Sequence, residues 1–175
     1  MHGEKLFTCL ETLVEITYKI RDLIDESYFK NLGQLAYSKE FSTIRLGGPR
    51  RSGHSYAIIK FLLKNKGQKK ILICGHSRAG LRIDQEIIQK ELKLPYKPKW
   101  EEFGFRFECI RKLIIEPDMI TEIDDYTGEK TIKPRPKLWD FVIVHPVAMY
   151  SQSCFDNIYA QTMCYKKIPI YIFMG

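Results

Sequence analysis

Leu6, Leu10, Leu13, Ile20 and Ile24 recur at alternating steps of four and three, with Thr17 in the one polar position of that series and Val14 widening it. The spacing predicts a helix over about 5–27 with one buried face. Around Gly33 the pattern loosens, and Phe41 to Leu46 then predicts a short strand that Gly47-Gly48-Pro49 ends. From Ser55 to Leu63 a helix is expected to be apolar on most sides, closing near Asn65-Lys66-Gly67. Ile71 to Cys74 is a continuous apolar run, as in a strand buried on both faces. Leu81, Ile83, Ile87, Ile88 and Leu92 predict a helix over about 79–92, which Pro95 and Pro98 prevent from continuing.

Phe103 to Ile115 alternates as one strand or two. Asp124-Asp125-Tyr126-Thr127-Gly128 reads as a hairpin tip, and Lys133-Pro134-Arg135-Pro136 as an extended connector. Trp139 to Val144 predicts a buried strand, Ser151 to Tyr165 a helix and Ile168 to Met174 a last strand. Because strand and helix alternate, the expected fold is α/β, a mainly parallel sheet with helices on both faces. The expected division is an N-terminal helical appendage over 1–40 and one α/β domain over 41–175.

Composition supports a globular chain. Its 175 residues, 45% apolar and 28% charged, suffice to bury a core without a metal or disulfide. Cys9, Cys74, Cys109, Cys154 and Cys164 are odd in number and contain no C-x-x-C pair, which argues against a disulfide framework and a zinc ribbon. No stretch approaches the roughly 18 apolar residues of a membrane span, and no signal-peptide core follows Met1, so an intracellular, cytoplasmic protein without a membrane partner is expected. The net charge of +7 is unevenly placed. Arg45 to Lys112 holds 17 Lys/Arg against 6 Asp/Glu, whereas each flank is slightly acidic. Such a block suits a polyanion partner, nucleic acid or nucleotide phosphate, and equally suits a solvated basic face.

Gly48-Pro49-Arg50-Arg51-Ser52-Gly53-His54-Ser55 stands between a predicted strand and a predicted helix, with the spacing G-x-x-x-x-G-x-S. In such a loop glycines let backbone N–H groups face phosphate oxygens, and the helix N-terminus adds partial positive charge. Ser55 occupies the position of the hydroxyl that holds Mg²⁺, while His54 stands where Lys is usual. Here the chain resembles the P-loop NTPases and, within them, the first RecA-like lobe of helicases and of phage terminase motor subunits, over about 41–175. Leu138-Trp139-Asp140-Phe141-Val142-Ile143-Val144-His145-Pro146 resembles the Walker B strand and Ile170 to Gly175 the strand after it. Ile71 to Arg78 resembles the second strand with its nucleic-acid-touching loop. The resemblance implies a nucleotide with Mg²⁺ as ligand, and the phage analogy implies residence in a host cytoplasm. It also exposes departures. The metal-directing Asp falls on His145 and the catalytic Glu on Pro146, which has no ionisable group to activate a water.

The phosphate contacts expected on this basis are Gly48, Arg50, Arg51, Ser52, Gly53, His54 and Ser55, with the two guanidinium groups able to grip phosphate bidentately. Asp140 and His145 would form the second-motif pocket. There the two histidines would bind phosphate as imidazolium or share a metal with Asp140. His76, Arg78 and Arg82 follow the second strand, at the edge where open α/β sheets bind ligands, and Lys97 and Lys99 alternate with Tyr96 and Trp100 as a base-stacking stretch would. Each has a plainer reading: a disused pocket, a solvated loop tip, aromatic packing under a proline-containing loop and, for Asp140, the favoured role of a cap or hydrogen bond near the start of its strand. The leading expectation is a catalytically degenerate P-loop domain, with no catalytic residue, that binds nucleic acid, a nucleotide or phosphate ligand, or a protein partner through a basic edge. The alternative is an atypical NTPase in which His54 and His145 replace the usual Lys and Asp.

Overall fold

The elements run α1 (His2–Leu23), α2 (Gln34–Phe41), β1 (Thr43–Leu46), α3 (His54–Asn65), β2 (Ile71–Gly75), α4 (Arg78–Glu91), a 3₁₀ turn (Trp100–Phe103) and β3 (Phe105–Cys109). They continue with α5 (Ile110–Ile115), β4 (Met119–Ile123), β5 (Lys130–Pro134), β6 (Phe141–Val144), α6 (Gln152–Thr162) and β7 (Ile170–Met174). The computed structural model describes residues 2–25, 27, 31–48, 53–115, 119–123, 130–134, 138–146, 151–163 and 167–175.

Five strands form one all-parallel sheet in the order β1-β7-β6-β2-β3, and β4 pairs with β5 in a separate antiparallel ribbon. Side chains alternate across the main sheet with a period of two. Ile71, Ile73, Phe141, Ile143, Ile170 and Ile172 enter one half of the core, and Leu72, Cys74, Val142, Val144, Tyr171 and Phe173 the other. Helices roof both faces, so every strand residue from Ile71 to Gly75, Phe141 to Val144 and Ile170 to Met174 is buried, and the strands read as unbroken apolar runs. The first face packs against Leu10 and Val14 of α1, Ala57, Phe61 and Leu62 of α3, and Leu81 and Ile88 of α4. The second packs against Tyr37 of α2, Ile110 of α5, and Phe155, Ile158 and Tyr159 of α6. Segment 1–40 thus contributes to both halves of the same core.

The connections place the crevice. Those stepping toward β3 carry α3 and α4 on the first face, and those stepping back toward β1 carry α5 and α6 on the second, as a single crossover hand requires. The chain leaves β2 in one direction and β6 in the other. The carboxyl ends of these neighbours therefore flank the switch point at which open α/β sheets leave a binding crevice.

Helix α1 runs parallel to α3. Tyr56 Oη donates to Glu4 Oε1 at 2.7 Å, Lys60 Nζ lies 3.8 Å from the same oxygen, and Lys64 pairs with Glu11 farther along. The first turn of α1 consequently lies beside the start of α3, where Gly3 and Gly53 meet backbone to backbone: a Cβ on Gly53 would sit 2.6 Å from Gly3 Cα.

Several boundaries correct the sequence reading. Helix α2 occupies a stretch with no clear period, because it buries little beyond Tyr37 and Ser38, and the first strand starts at Thr43 rather than Phe41. The stretch to Ile115 is not all strand. Its ladder ends where Cys109 meets Gly75, the last residue of β2, and Ile110 and Leu113, three apart, turn to the second face as a helix. The expected hairpin tip over 124–128 lies outside the described residues, as do Arg135 and Pro136, while the flanking β4 and β5 do pair. Cys9, Cys74, Cys109 and Cys154 are free thiols. Among the described residues no helix is long and apolar enough to cross a membrane.

Candidate phosphate site at the carboxyl edge

Strand β1 leads through Gly47 and the exposed Gly48 into residues 49–52, so Arg50, Arg51 and Ser52 lie outside the described residues. The chain re-enters at Gly53, the N-cap of α3, with φ 94° and ψ 17°. This left-handed conformation costs a residue with a Cβ about 1–2 kcal/mol, and a glycine nothing. Ala57 N–H donates to Gly53 O at 2.9 Å and closes the first turn. The opening N–H groups of a helix have no acceptor within it, and α3 begins at the carboxyl edge, beside the first turn of α1.

His145 follows β6, and its N–H extends the ladder to Cys74 O at 3.1 Å. Its ring is held on two sides. Nδ1 lies 3.1 Å from Met174 O at the end of β7, and Nε2 lies 3.4 Å from Ser55 Oγ. A carbonyl oxygen only accepts, so Nδ1 carries the hydrogen, and in the neutral ring Nε2 accepts from the Ser55 hydroxyl. His54, first residue of α3, is buried with its ring 6.2 Å from that of His145. Burial, and secondarily the neighbouring His145, push its pKa below the ordinary histidine value. Helix α4 contributes Asp84 to the same neighbourhood. Burial raises the pKa of this half-buried carboxyl, and His145 partly offsets the rise. Two sequence motifs 90 residues apart thus meet through Ser55 and His145, because β7 alone separates β1 from β6.

Asp140 does not join them. It stands just before β6 at the opposite, amino edge, five residues before His145, which is about 16 Å of extended chain. There its Oδ2 accepts from Lys70 N–H at 2.7 Å and its Oδ1 pairs with Lys167 Nζ at 2.6 Å. Burial alone would raise its pKa, but the contacts with Lys167 and Lys70 outweigh that and lower it. The expected pocket of Asp140 with His145, and a metal shared by Asp140 and the two histidines, are therefore not formed, since the two ends of a strand lie on opposite edges of the sheet.

The expected nucleic-acid residues also divide. His76, Arg78 and Arg82 are exposed at the carboxyl edge, where Ser77 caps α4 by accepting from Gly80 N–H at 3.1 Å. Arg82 pairs with Glu86 at 2.9 Å. Lys97 and Lys99 lie at the other end of the 14-residue α4, about 20 Å away along its axis. Lys97 Nζ sits 5.4 Å from the Tyr96 ring centroid, and Lys99 pairs with Glu102 at 3.5 Å. Trp100 stacks edge-on against Phe107, so it serves the core. A cleft of about 630 Å³ opens on that amino edge, lined by Lys69, Lys70, Arg106 and Trp139 among others, away from the histidines.

Asp84 was missed in the sequence, although a signal existed. It falls between Leu81 and Ile88 on the buried stripe of α4, a carboxylate in an apolar series. The Met174 carbonyl had no side-chain signal at all.

Compared with known proteins, the chain matches no family model and no curated sequence. The class the structure defines is an α/β domain with a five-stranded all-parallel sheet and an N-terminal helix packed on it. Mg²⁺, which the P-loop resemblance implies, takes near-octahedral oxygen ligands. Among the described residues, the meeting point of the motifs offers the Ser55 hydroxyl and the His54 and His145 imidazoles, with the half-buried Asp84 carboxyl nearby. Among the described residues no three His, Cys, Asp or Glu side chains are grouped to hold a metal. These residues do not fit Mg²⁺.

Proposed function

We propose that the chain is a degenerate P-loop domain, RecA-like in organisation, that binds the phosphates of a nucleic acid or nucleotide at the carboxyl edge of its sheet and does not hydrolyse them. The observation that carries this reading is the convergence of Ser55 with His145 beside the left-handed Gly53, at the start of a helix that follows β1. Donor N–H groups, two imidazoles and the exposed His76, Arg78 and Arg82 share that edge. Pro146 stands where the resemblance puts the hydrolytic base, and a proline side chain can neither orient nor deprotonate a water.

The test is titration of the purified chain with ATP and with a single-stranded oligonucleotide at low salt, alongside phosphate-release measurements. Saturable binding of at least one of them, with release no faster than without protein, is the expected result. Absence of binding to both would overturn the reading. Release that follows histidine ionisation with pH and disappears in His54→Ala would instead establish the atypical NTPase.

A further inference from the structure

The mismatch with Mg²⁺ has a consequence for the form of the ligand. We infer that this site takes its phosphate ligand free of divalent metal, so that Mg²⁺ competes with the protein for a nucleotide instead of bridging the two. This rests on the phosphate-binding reading above and adds to it the chemical state of what is bound.

A metal-bridged phosphate needs oxygen donors from the protein that stay available to the ion. The position that would direct the metal carries an imidazole whose Nδ1–H is committed to Met174 O at 3.1 Å, which aims Nε2 at Ser55 Oγ, 3.4 Å away. In the neutral ring the Ser55 proton points at that nitrogen. The second ring, His54, lies 6.2 Å from the first. Imidazole nitrogen suits zinc, copper or nickel and is a poor ligand for magnesium. Among the described residues, the carboxyl near the two rings is Asp84, half-buried on α4, and it forms with the histidines no grouping able to hold an ion. A dication here would find few hard oxygens. A phosphate oxygen, in contrast, can accept from the opening N–H groups of α3, which need no metal as intermediary.

The experiment is calorimetric titration of the full chain with ATP, and separately with tripolyphosphate, in EDTA and in millimolar Mg²⁺. Binding in EDTA is expected to be at least as tight as in Mg²⁺, with apparent affinity falling several-fold as Mg²⁺ sequesters the ligand. His145→Asp supplies the missing carboxylate opposite Ser55 and is expected to reverse the preference, Mg²⁺ then tightening ATP binding. Tenfold tighter ATP binding by the unmodified chain in Mg²⁺ than in EDTA would overturn the inference while sparing the phosphate site. Failure of ATP and tripolyphosphate to bind in either buffer would remove the nucleotide-phosphate reading, and this inference with it.

Discussion

Gly53 carries two demands at once, a backbone with φ of 94° and a contact in which any Cβ would press on Gly3 at 2.6 Å. Gly53→Ala is expected to lower stability by about 2 kcal/mol or more, read as a shift in the urea midpoint. Its spacing in the loop made Gly53 legible as a turn residue, but nothing in the sequence announced Gly3 as its neighbour. His54 makes a separate prediction. Its folded pKa lies below the unfolded value of 6.5, so as pH falls the unfolded chain takes up this proton first. Its contribution therefore favours folding above 6.5 and is lost as pH drops from there through the lowered folded value. Thermal melts between pH 7 and 5 should show a smaller acid-induced drop in Tm for His54→Gln than for the unmodified chain. No such drop attributable to His54 would mean that the imidazole is as well solvated folded as unfolded.

At the scale of elements, the buried strands were the most legible parts, since Ile71–Cys74, Phe141–Val144 and Ile170–Met174 must be apolar on both faces in a sheet roofed by helices. Helix α2 was illegible because its contact with the core is slight. The switch from β3 to α5 was hidden because it depends on where β2, a strand 30 residues away in the chain, runs out of partners. Asp140 was legible as a hydrogen-bonding group near a strand start, and it does pin the start of β6, to Lys70 and Lys167, partners that only the fold decided. Asp140→Ala should cost about 2 kcal/mol in denaturant unfolding while leaving ATP affinity unchanged. Because its folded pKa is depressed below 3.8, that stabilisation is present above 3.8 and disappears as pH falls through the folded value. A marked loss of ATP binding in this variant would show that the amino edge takes part in the site.

For the whole molecule, the basic residues flanking α4 divide between two edges. Helix α4 carries Arg78 and Arg82 to one edge, and Lys97 and Lys99 come after it at the other. If single-stranded nucleic acid lies along the carboxyl edge, the double change Arg78→Ala, Arg82→Ala should flatten the dependence of log K on log salt by about 0.7 for each phosphate contact removed. Lys97→Ala with Lys99→Ala should leave that slope unaltered. Equal slopes for all three proteins would place the contact elsewhere.

The amino-acid sequence by itself determined the order of most strands and helices, the two-sided burial of the sheet and the loop with a glycine suited to left-handed backbone, because period, turn chemistry and apolar runs are local properties. Only the tertiary structure decided which candidate residues meet. The strand order and the crossover directions arise from packing between distant segments, and they bring His145 to Ser55 while sending Asp140 to the far edge. In a parallel sheet every strand begins at one edge and ends at the other. Two residues of one motif can therefore stand at opposite sides of the molecule, while two motifs far apart in the chain come within hydrogen-bonding distance.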